Sequence, residues 1–392
     1  MKRDLKTRLR RYHDAGKTPQ APEANRPKTN CSWPGWKEAG FNTLKREISF
    51  VPKTQDLRKP WPGAGASFPG SLAILVPDLL RRNNLHARER IPSPGDLLFF
   101  DLETTGLSGG AGTIAFLAAF GRFAGHENYG GKEPPLVITQ YLLLDYPGEA
   151  DFIEKAAAEI KSREFSQRPL LVSYNGKCFD SQILRTRCLM NGINLPEYFH
   201  ADLLHPARRL WKRRLPDCSQ TTIEVSVLGL DRTGDVSGAM APEIWFSFLR
   251  SGENSELLSV CDHNVKDIGG MASLFLTLAE IASDPIESQK RFRFDEEALA
   301  LSWNHILKKN HGFFGEGESD MYAKTGNILL ENAARNGSPR AALVMAKNAE
   351  WRLKDITRAL EYTNAALTLR DLPGNLREDL EKRRARLEGK LG

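Results

Sequence analysis

Two acidic residues follow a short apolar run in the segment LLFFDLETTGL. The run at 97–102 predicts a buried strand, and side chains two positions apart on a strand point to the same face. Asp101 and Glu103 would therefore project together from a buried element. Like charges held this close need a cation, and carboxylate ligands suit Mg²⁺ or Mn²⁺. Taken alone, the pair is also typical of a polar strand end that enters a turn.

Two further segments contain side chains that would complete such a site. Asp180 lies in SYNGKCFDSQIL, where a predicted strand ends and a helix begins. An acid at that position is also a favoured helix start. His263 and Asp267 lie in DHNVKDI, within a predicted helix over 254–281. Their spacing of four places them on one helix face, although a solvated His-Asp pair has the same spacing.

Together the three segments resemble the DEDD superfamily of metal-dependent 3′ to 5′ exonucleases, which have a ribonuclease H-like fold. Asp101 and Glu103 match the first motif, Asp180 the second and Asp267 the third, over about residues 95–282. The resemblance implies that these four acids hold two Mg²⁺ or Mn²⁺ ions and that the protein hydrolyses phosphodiester bonds by a two-metal mechanism.

The position of His263 departs from both standard subclasses of that superfamily. The general base there is a Tyr four residues before the last acid or a His five residues before it, and His263 stands at the Tyr spacing. In this respect the chain looks most like the predicted nucleases of the YprB-like ribonuclease H-like branch, which can carry HN-x2-D here. An imidazole that titrates near neutrality is chemically suited to take a proton from the attacking water, and the assignment of the base is left open.

Residues beside the acidic motifs are candidates for substrate contact. In the superfamily, the residues just after the first motif approach the terminal nucleotide, which implies this role for Thr104, Thr105 and Leu107. Asn175, within the second motif, is a further candidate for the same role.

A basic run, HPARRLWKRR, lies between the second and third motifs. Arg208 and Arg209 would neutralise phosphates and Trp211 would stack on a base, which together suit single-stranded nucleic acid. A solvated basic helix face is an equally good interpretation.

Composition restricts the class of protein. The chain has 392 residues, 41% of them hydrophobic and 27% charged, which predicts two or three folded domains and excludes a mainly disordered chain. It has no apolar stretch of about 18 residues and no secretory signal, so we expect a cytoplasmic protein with no membrane contact.

The first 50 residues hold 12 Lys and Arg against 5 Asp and Glu, whereas the net charge of the whole chain is only +6. Any attraction for nucleic acid must therefore come from local patches and the N-terminal arm.

The order of apolar runs predicts an α/β fold, namely a ribonuclease H-like mixed sheet flanked by helices. Runs at 97–102, 113–123 and 136–146 predict three adjacent antiparallel strands. The predicted regions are an irregular basic N-terminal arm over 1–79, a ribonuclease H-like exonuclease domain over 80–282, a linker over 283–319 that one helix near 296–308 interrupts, and an all-α helical-hairpin region over 320–392.

Residues 320–390 predict four helices and are similar to tetratricopeptide-type hairpins, most clearly in RALEYTNAALTL. This similarity implies that the segment docks on the nuclease domain or binds a protein partner, although a plain helical bundle fits the pattern equally well.

Taken together, the motifs favour a metal-dependent 3′-5′ exonuclease that acts on DNA or RNA, with endonuclease action as a variant. The alternative is a catalytically silent nucleic-acid-binding scaffold that recruits protein partners through its helical tail.

Overall fold

The computed structural model describes residues 32–52, 68–81, 91–106, 112–124, 135–161, 169–310, 312–369 and 372–391. Within these residues, seven strands form one mixed sheet: β1 Lys37–Gly40, β2 Thr43–Phe50, β3 Leu97–Thr104, β4 Ala115–Phe123, β5 Leu136–Leu143, β6 Leu170–Ser173 and β7 Phe199–Asp202. Their order is β1-β2-β5-β4-β3-β6-β7. Strands β3, β4 and β5 pair antiparallel, as predicted, and β3 pairs parallel with β6.

The α-helices of the described residues are α1 Leu72–Leu75, α2 Glu149–Ile160, α3 Asp180–Met190, α4 Leu204–Trp211, α5 Gln220–Ser226, α6 Ala241–Ser251, α7 Ser255–Ser283, α8 Pro285–Phe292, α9 Glu296–Lys309, α10 Glu316–Arg335, α11 Pro339–Asn348, α12 Ile356–Leu367 and α13 Gly374–Leu391. Helices α2, α3 and α6 share one hydrophobic core with the sheet, and most of α7 packs in a second core. None of these helices combines the length and the apolar character that crossing a membrane requires.

Strand β3 lies at the centre of the sheet and is buried on both faces. Leu97 and Phe99 belong to the core that contains most of α7, whereas Leu98 and Phe100 belong to the opposite core. This alternation is the two-residue period of a strand. A run of apolar residues without polar interruption is what a strand covered on both faces requires.

Two glycines allow α7 to lie close against the sheet. A Cβ atom added at Gly121 of β4 would lie 2.5 Å from Cγ2 of Ile268, and one added at Gly269 of α7 would lie 2.4 Å from the ring of Phe50. Any larger residue at either position would push the helix away from the strands.

The prediction of an irregular arm over 1–79 is wrong for residues 37–50. These residues form the hairpin β1-β2, and β2 pairs with β5 along its whole length, from Thr43 opposite Leu143 to Phe50 opposite Leu136. Lys45, Arg46 and Glu47 interrupt the alternation of apolar and polar residues that would indicate a strand in the sequence. The fold tolerates these charged side chains because only one part of β2 is buried. Residues 1–31 and 53–67 lie outside the described residues.

The prediction of a linker over 283–319 is also wrong, because most of this segment is helical and packed, although the one helix predicted within it, near 296–308, is present as α9. It contains α8, α9 and the start of α10, and Phe292, Phe294 and Trp303 are buried in the same core as α7. The apolar residues are separated by many charged ones, which conceals the helical period in the sequence.

The four helices predicted over 320–390 are present as α10 to α13. They end and restart close to the predicted breaks, and consecutive helices pack against one another. Their likeness to tetratricopeptide hairpins stays a prediction.

Candidate active site

Strand β3 brings the first two acids to the face of the sheet that α7 covers. Asp101 and Glu103 continue the row of Leu97 and Phe99, which pack in the core shared with α7. The strand period that buries the apolar residues therefore also points both carboxylates toward one helix.

A buried amide network sets the register of α7 on the sheet. Nδ2 of Asn264 donates a hydrogen bond of 2.7 Å to Oδ2 of Asp101, and Nε2 of Gln140 on β5 donates one of 2.7 Å to Oδ1 of Asn264. Both amide side chains have no exposed surface. Because Asn264 is tied to two strands, His263 and Asp267 on the same helix are held at the end of β3.

Asp180 enters the site from the start of α3 and is 6% exposed. The turn that precedes it includes Asn175, whose φ is +64°. The carboxylate of Asp202, itself buried, accepts hydrogen bonds from the backbone N–H of Asn175 at 2.8 Å and of Lys177 at 3.2 Å. Asp202 thus fixes the turn that places Asp180.

These elements enclose a cavity of about 230 Å³. All five predicted catalytic residues line it, together with hydroxyl, amide and apolar groups from neighbouring elements. The lining residues are Asp101, Leu102, Glu103, Thr104, Tyr174, Asn175, Phe179, Asp180, Gly238, Pro242, His263 and Asp267.

The four carboxylates of the cavity repel one another in a buried setting. Burial, and then the charges of Asp180, Asp267 and Glu103, raises the pKa of Asp101 well above its usual range. Burial and the charges of Asp267 and Asp180 do the same to the pKa of Glu103. Burial also raises the pKa of Asp180 to about 7 and raises the pKa of Asp267. Carboxylates arranged in this way favour either protons or a bound cation.

The donor atoms of the cavity suit a divalent cation. Among the described residues, one ligand atom from each of Glu103, His263 and Asp267 lies within 4.8 Å of the other two. Carboxylate oxygens with an imidazole nitrogen suit Mn²⁺, and carboxylates alone suit Mg²⁺. This group contains two of the four predicted metal ligands, Glu103 and Asp267, together with His263, and its chemistry fits a divalent ion.

Asp235 orients the ring of His263. Oδ2 of Asp235 lies 2.9 Å from Nδ1 of His263, and Oδ1 accepts a hydrogen bond of 3.2 Å from Nζ of Lys266. The other ring nitrogen, Nε2, lies 3.3 Å from Oδ2 of Asp267. Both ring nitrogens thus face a carboxylate oxygen, and because Nδ1 makes the closer contact we assign the ring proton of the neutral imidazole to Nδ1, which leaves the lone pair on Nε2.

Arg232 connects three carboxylates behind the cavity. Its guanidinium pairs with Glu224 and with Asp235, each at 2.5 Å, and also contacts Asp267. The side chain of Arg232 is 5% exposed, so these pairs lie out of water. Arg232 compensates part of the negative charge that surrounds Asp267 and holds Asp235 in place.

The residues predicted to contact substrate lie in different settings. Thr104 and Asn175 line the cavity, and the Thr104 hydroxyl donates to the backbone oxygen of Gly106 at 3.0 Å. The hydroxyl of Thr105 instead accepts a hydrogen bond of 3.0 Å from the backbone N–H of Ile114, which closes the turn. Leu107 lies outside the described residues.

The predicted stacking role of Trp211 is wrong in this structure. Its indole is 1% exposed, and Nε1 donates to the backbone oxygen of Phe292 at 3.0 Å. Arg209 donates to the backbone oxygen of Leu75 at 3.0 Å, so it braces α1, whereas Arg208 is exposed. The basic run therefore combines a buried apolar face of α4 with exposed cations.

Three residues that shape the site were not predicted from the sequence, namely Asn264, Arg232 and Asp235. Asn264 follows His263 directly in the sequence, so the dipeptide His-Asn was the signal that could have identified Asn264 as part of the site. Arg232 and Asp235 lie in the polar loop between α5 and α6, where no period or motif marks them.

Residues 98–279 match the family model described as the RNase H superfamily, and this segment contains all five predicted catalytic residues. The chain is also 35% identical over 265 residues to "Uncharacterized protein YprB" of Bacillus subtilis (strain 168), an alignment that covers 66% of this chain and 58% of that protein. The solved structure "Exonuclease I (apo)" aligns with 74% of this chain and 90% of its own, at 14% identity and a TM-score of 0.27, which is too low to carry a conclusion.

The mixed sheet with its flanking helices is RNase H-like, as predicted. The family model matches residues 98–279, and the resemblance seen in the sequence covers about residues 95–282. The predicted likeness to YprB is confirmed as well. The chain spans less than two thirds of that relative.

Proposed function

We propose that this protein is a metal-dependent nuclease that hydrolyses phosphodiester bonds of DNA or RNA, as a 3′-5′ exonuclease that uses two divalent ions. One observation supports the proposal above all. Acids from three distant segments meet in one cavity, where burial and mutual repulsion raise the pKa of Asp101 and Glu103. A protein without a bound cation would gain stability by replacing such a group of acids.

Asp101, Glu103, Asp180 and Asp267 would hold the two Mg²⁺ or Mn²⁺ ions. When bound, such ions lower the pKa of the attacking water and stabilise charge on the phosphate and the leaving oxygen. The 3′-5′ direction is carried over from the family that the motifs resemble.

His263 would take the proton of the attacking water. Its Nε2 atom faces the cavity, and its Nδ1 atom lies 2.9 Å from Asp235. The Asp235 carboxylate would keep the ring in the tautomer whose Nε2 accepts a proton and would stabilise the imidazolium that forms. The same division of roles holds for other His-Asp pairs in hydrolysis.

The walls of the cavity would position the terminal nucleotide. Tyr174, Phe179 and Pro242 offer apolar surface for a sugar or a base, and Thr104 and Asn175 offer polar groups. Exclusion of water by these walls would strengthen the electrostatic interactions at the reacting phosphate.

Digestion of end-labelled single- and double-stranded DNA and RNA with Mn²⁺ tests the proposal. The wild type should give stepwise ladders from the 3′ end, and Asp101→Ala and Asp267→Ala should abolish them. Asp262→Ala is a matched control, because this carboxylate adjoins His263 in the sequence but is 65% exposed, pairs with Arg46 and does not line the cavity.

Cleavage that persists in Asp101→Ala or Asp267→Ala would refute the assignment of the metal ligands. Internal fragments would indicate endonuclease action. Binding without cleavage of any substrate would favour the scaffold function.

A further inference from the structure

The C-terminal helices expose a tryptophan that the proposed active site does not use. Trp351 lies in the π-helical turn at 349–353, between α11 and α12, and is 54% exposed. Leu353 beside it is 60% exposed, and Lys354 ends the turn with a φ of +57°. An exposed indole offers an aromatic surface on which a nucleic-acid base can stack.

A buried carboxylate anchors this turn to α13. Glu350 is 2% exposed and accepts hydrogen bonds from Arg386 and Lys390, both at 2.7 Å, and from Arg383. The guanidinium of Arg383 also lies over the indole of Trp351, 5.0 Å from the ring centroid. The cation fixes the orientation of the ring and covers one face, so the exposed area belongs to the rest of the indole.

The surroundings of the ring carry an excess of positive charge. We define the Trp351 patch as Trp351, Arg352, Leu353, Lys354, Arg383, Arg386 and Lys390, whose five cations outnumber the neighbouring carboxylates of Glu350, Asp355 and Asp379. The side chains of Arg386 and Lys390 are 48% and 46% exposed. Donors not used by Glu350 therefore remain accessible to a ligand.

We propose that the Trp351 patch binds single-stranded nucleic acid, with a base stacked on the indole and phosphates paired with the surrounding cations. An exposed ring set among cations matches the chemistry of single-strand binding, in which aromatic rings hold bases and basic groups follow the backbone. A protein partner is the poorer match, since the apolar part of the patch is limited to Trp351 and Leu353. The inference shares with the proposed function the premise of a nucleic-acid ligand.

Fluorescence anisotropy with a labelled single strand of about 16 nucleotides, in EDTA, tests this inference without any metal chemistry. Trp351→Ala should weaken binding by about ten-fold, the effect of removing one stacked base, and Trp351→Phe should retain most of the affinity. Arg352→Gln with Lys354→Gln should lower the slope of log affinity against log salt by about 0.7 for each phosphate that the variant no longer neutralises.

The matched control is Lys324→Gln with Ile328→Ala, which removes one exposed cation and one exposed apolar side chain from α10. Thermal melting of each variant checks that the fold is kept. Wild-type affinity in Trp351→Ala, or an equal decrease in the control, would overturn the inference.

A short substrate separates the inference from the proposed function. A trinucleotide that fills only the active site should be cleaved equally by wild type and Trp351→Ala, whereas a long strand should show a raised KM in the variant. If no substrate is cleaved but binding falls in Trp351→Ala, the proposed function fails and the inference stands.

Discussion

The carboxyl groups of Asp101, Glu103, Asp180 and Asp267 decide how the candidate site behaves without metal. Each is at least partly withdrawn from water, and burial raises the pKa of all four. Groups that favour a bound cation in this way lower the stability of the cation-free fold. Function and stability therefore oppose each other at the same atoms.

Replacement of one acid should separate these two effects. Asp101→Asn should abolish cleavage, because it removes a metal ligand, and raise the free energy of unfolding in EDTA by about 0.5 to 2 kcal/mol. The carboxamide oxygen can still accept the hydrogen bond from Asn264. Urea unfolding of wild type, Asp101→Asn and the exposed control Asp262→Asn measures the difference. A variant less stable than the wild type would contradict the role of repulsion.

The raised pKa of Asp180 predicts a pH dependence of stability. Its pKa is about 7 in the folded chain against an ordinary value of 3.8. Between these values the folded chain holds a proton that the unfolded chain has released, so this group's contribution to stability falls as pH rises. In EDTA, the stability of the wild type should decrease more than that of Asp180→Asn between about pH 5 and pH 8, and Mn²⁺ should restore it. Parallel pH profiles for the two proteins would contradict the prediction.

Asp235 offers a second test at the residue scale. Asp235→Asn should lower kcat by about 10² to 10⁴, because an amide can hold His263 in the wrong tautomer. Mn²⁺ affinity should change little, since Asp235 does not line the cavity. Lys266→Gln, which removes the hydrogen bond to the other carboxylate oxygen, is the control and should have a smaller effect. Single-turnover cleavage measures the loss of rate, and nitrogen NMR of the His263 ring measures which tautomer is present.

The residues of the site also differ in how far the sequence could predict them. Asp101, Glu103, Asp180, His263 and Asp267 could be predicted to share a site, because strand period and helix spacing orient them locally and the resemblance to the DEDD superfamily implies that their three segments meet. Asp235 could not be predicted to belong to the site. Its contact with His263 depends on how the loop between α5 and α6, which has no hydrophobic periodicity, folds back on α7. Trp211 was assigned to the surface although Leu204, Ala207, Leu210 and Trp211 follow the spacing of one buried helix face.

At the scale of elements, the site depends on how closely α7 lies against the sheet. Gly121→Ala would place a Cβ atom 2.5 Å from Cγ2 of Ile268. We expect the free energy of unfolding to fall by about 1 to 3 kcal/mol, and cleavage to fall as α7 moves away from β3. Gly317→Ala in α10 is the matched control, because its Cβ atom would meet nothing within 4 Å. It should raise stability slightly, as Ala favours helices over Gly. If urea unfolding gives Gly121→Ala the same free energy of unfolding as the control, this explanation of the packing is refuted.

Element prediction failed where charged residues interrupt the apolar pattern. Strand β2 carries Lys45, Arg46 and Glu47 in its centre, yet it pairs with β5 along its full length. The segment around α8 was taken for a linker, yet Phe292 and Phe294 are buried. Both segments gain their structure from contacts with distant parts of the chain, which local propensity does not report.

At the scale of the whole molecule, the described chain joins an RNase H-like sheet to a set of C-terminal helices. The fold class was predictable because the central strands are apolar on both faces and the helices that follow are long. The proposed function and the Trp351 patch would place catalysis and strand binding on different parts of one chain. Contacts of both parts with one strand would raise the effective concentration of substrate at the cavity.

Calorimetric titration of Mn²⁺ into metal-free protein at about pH 8 tests whether the four acids form a metal centre, because metal binding needs deprotonated ligands and is therefore favoured at higher pH. We expect saturable binding of two ions per chain, and no such binding in the double variant Glu103→Gln, Asp267→Asn. Equal binding by the double variant, or no binding by the wild type, would refute the metal centre and with it the proposed mechanism.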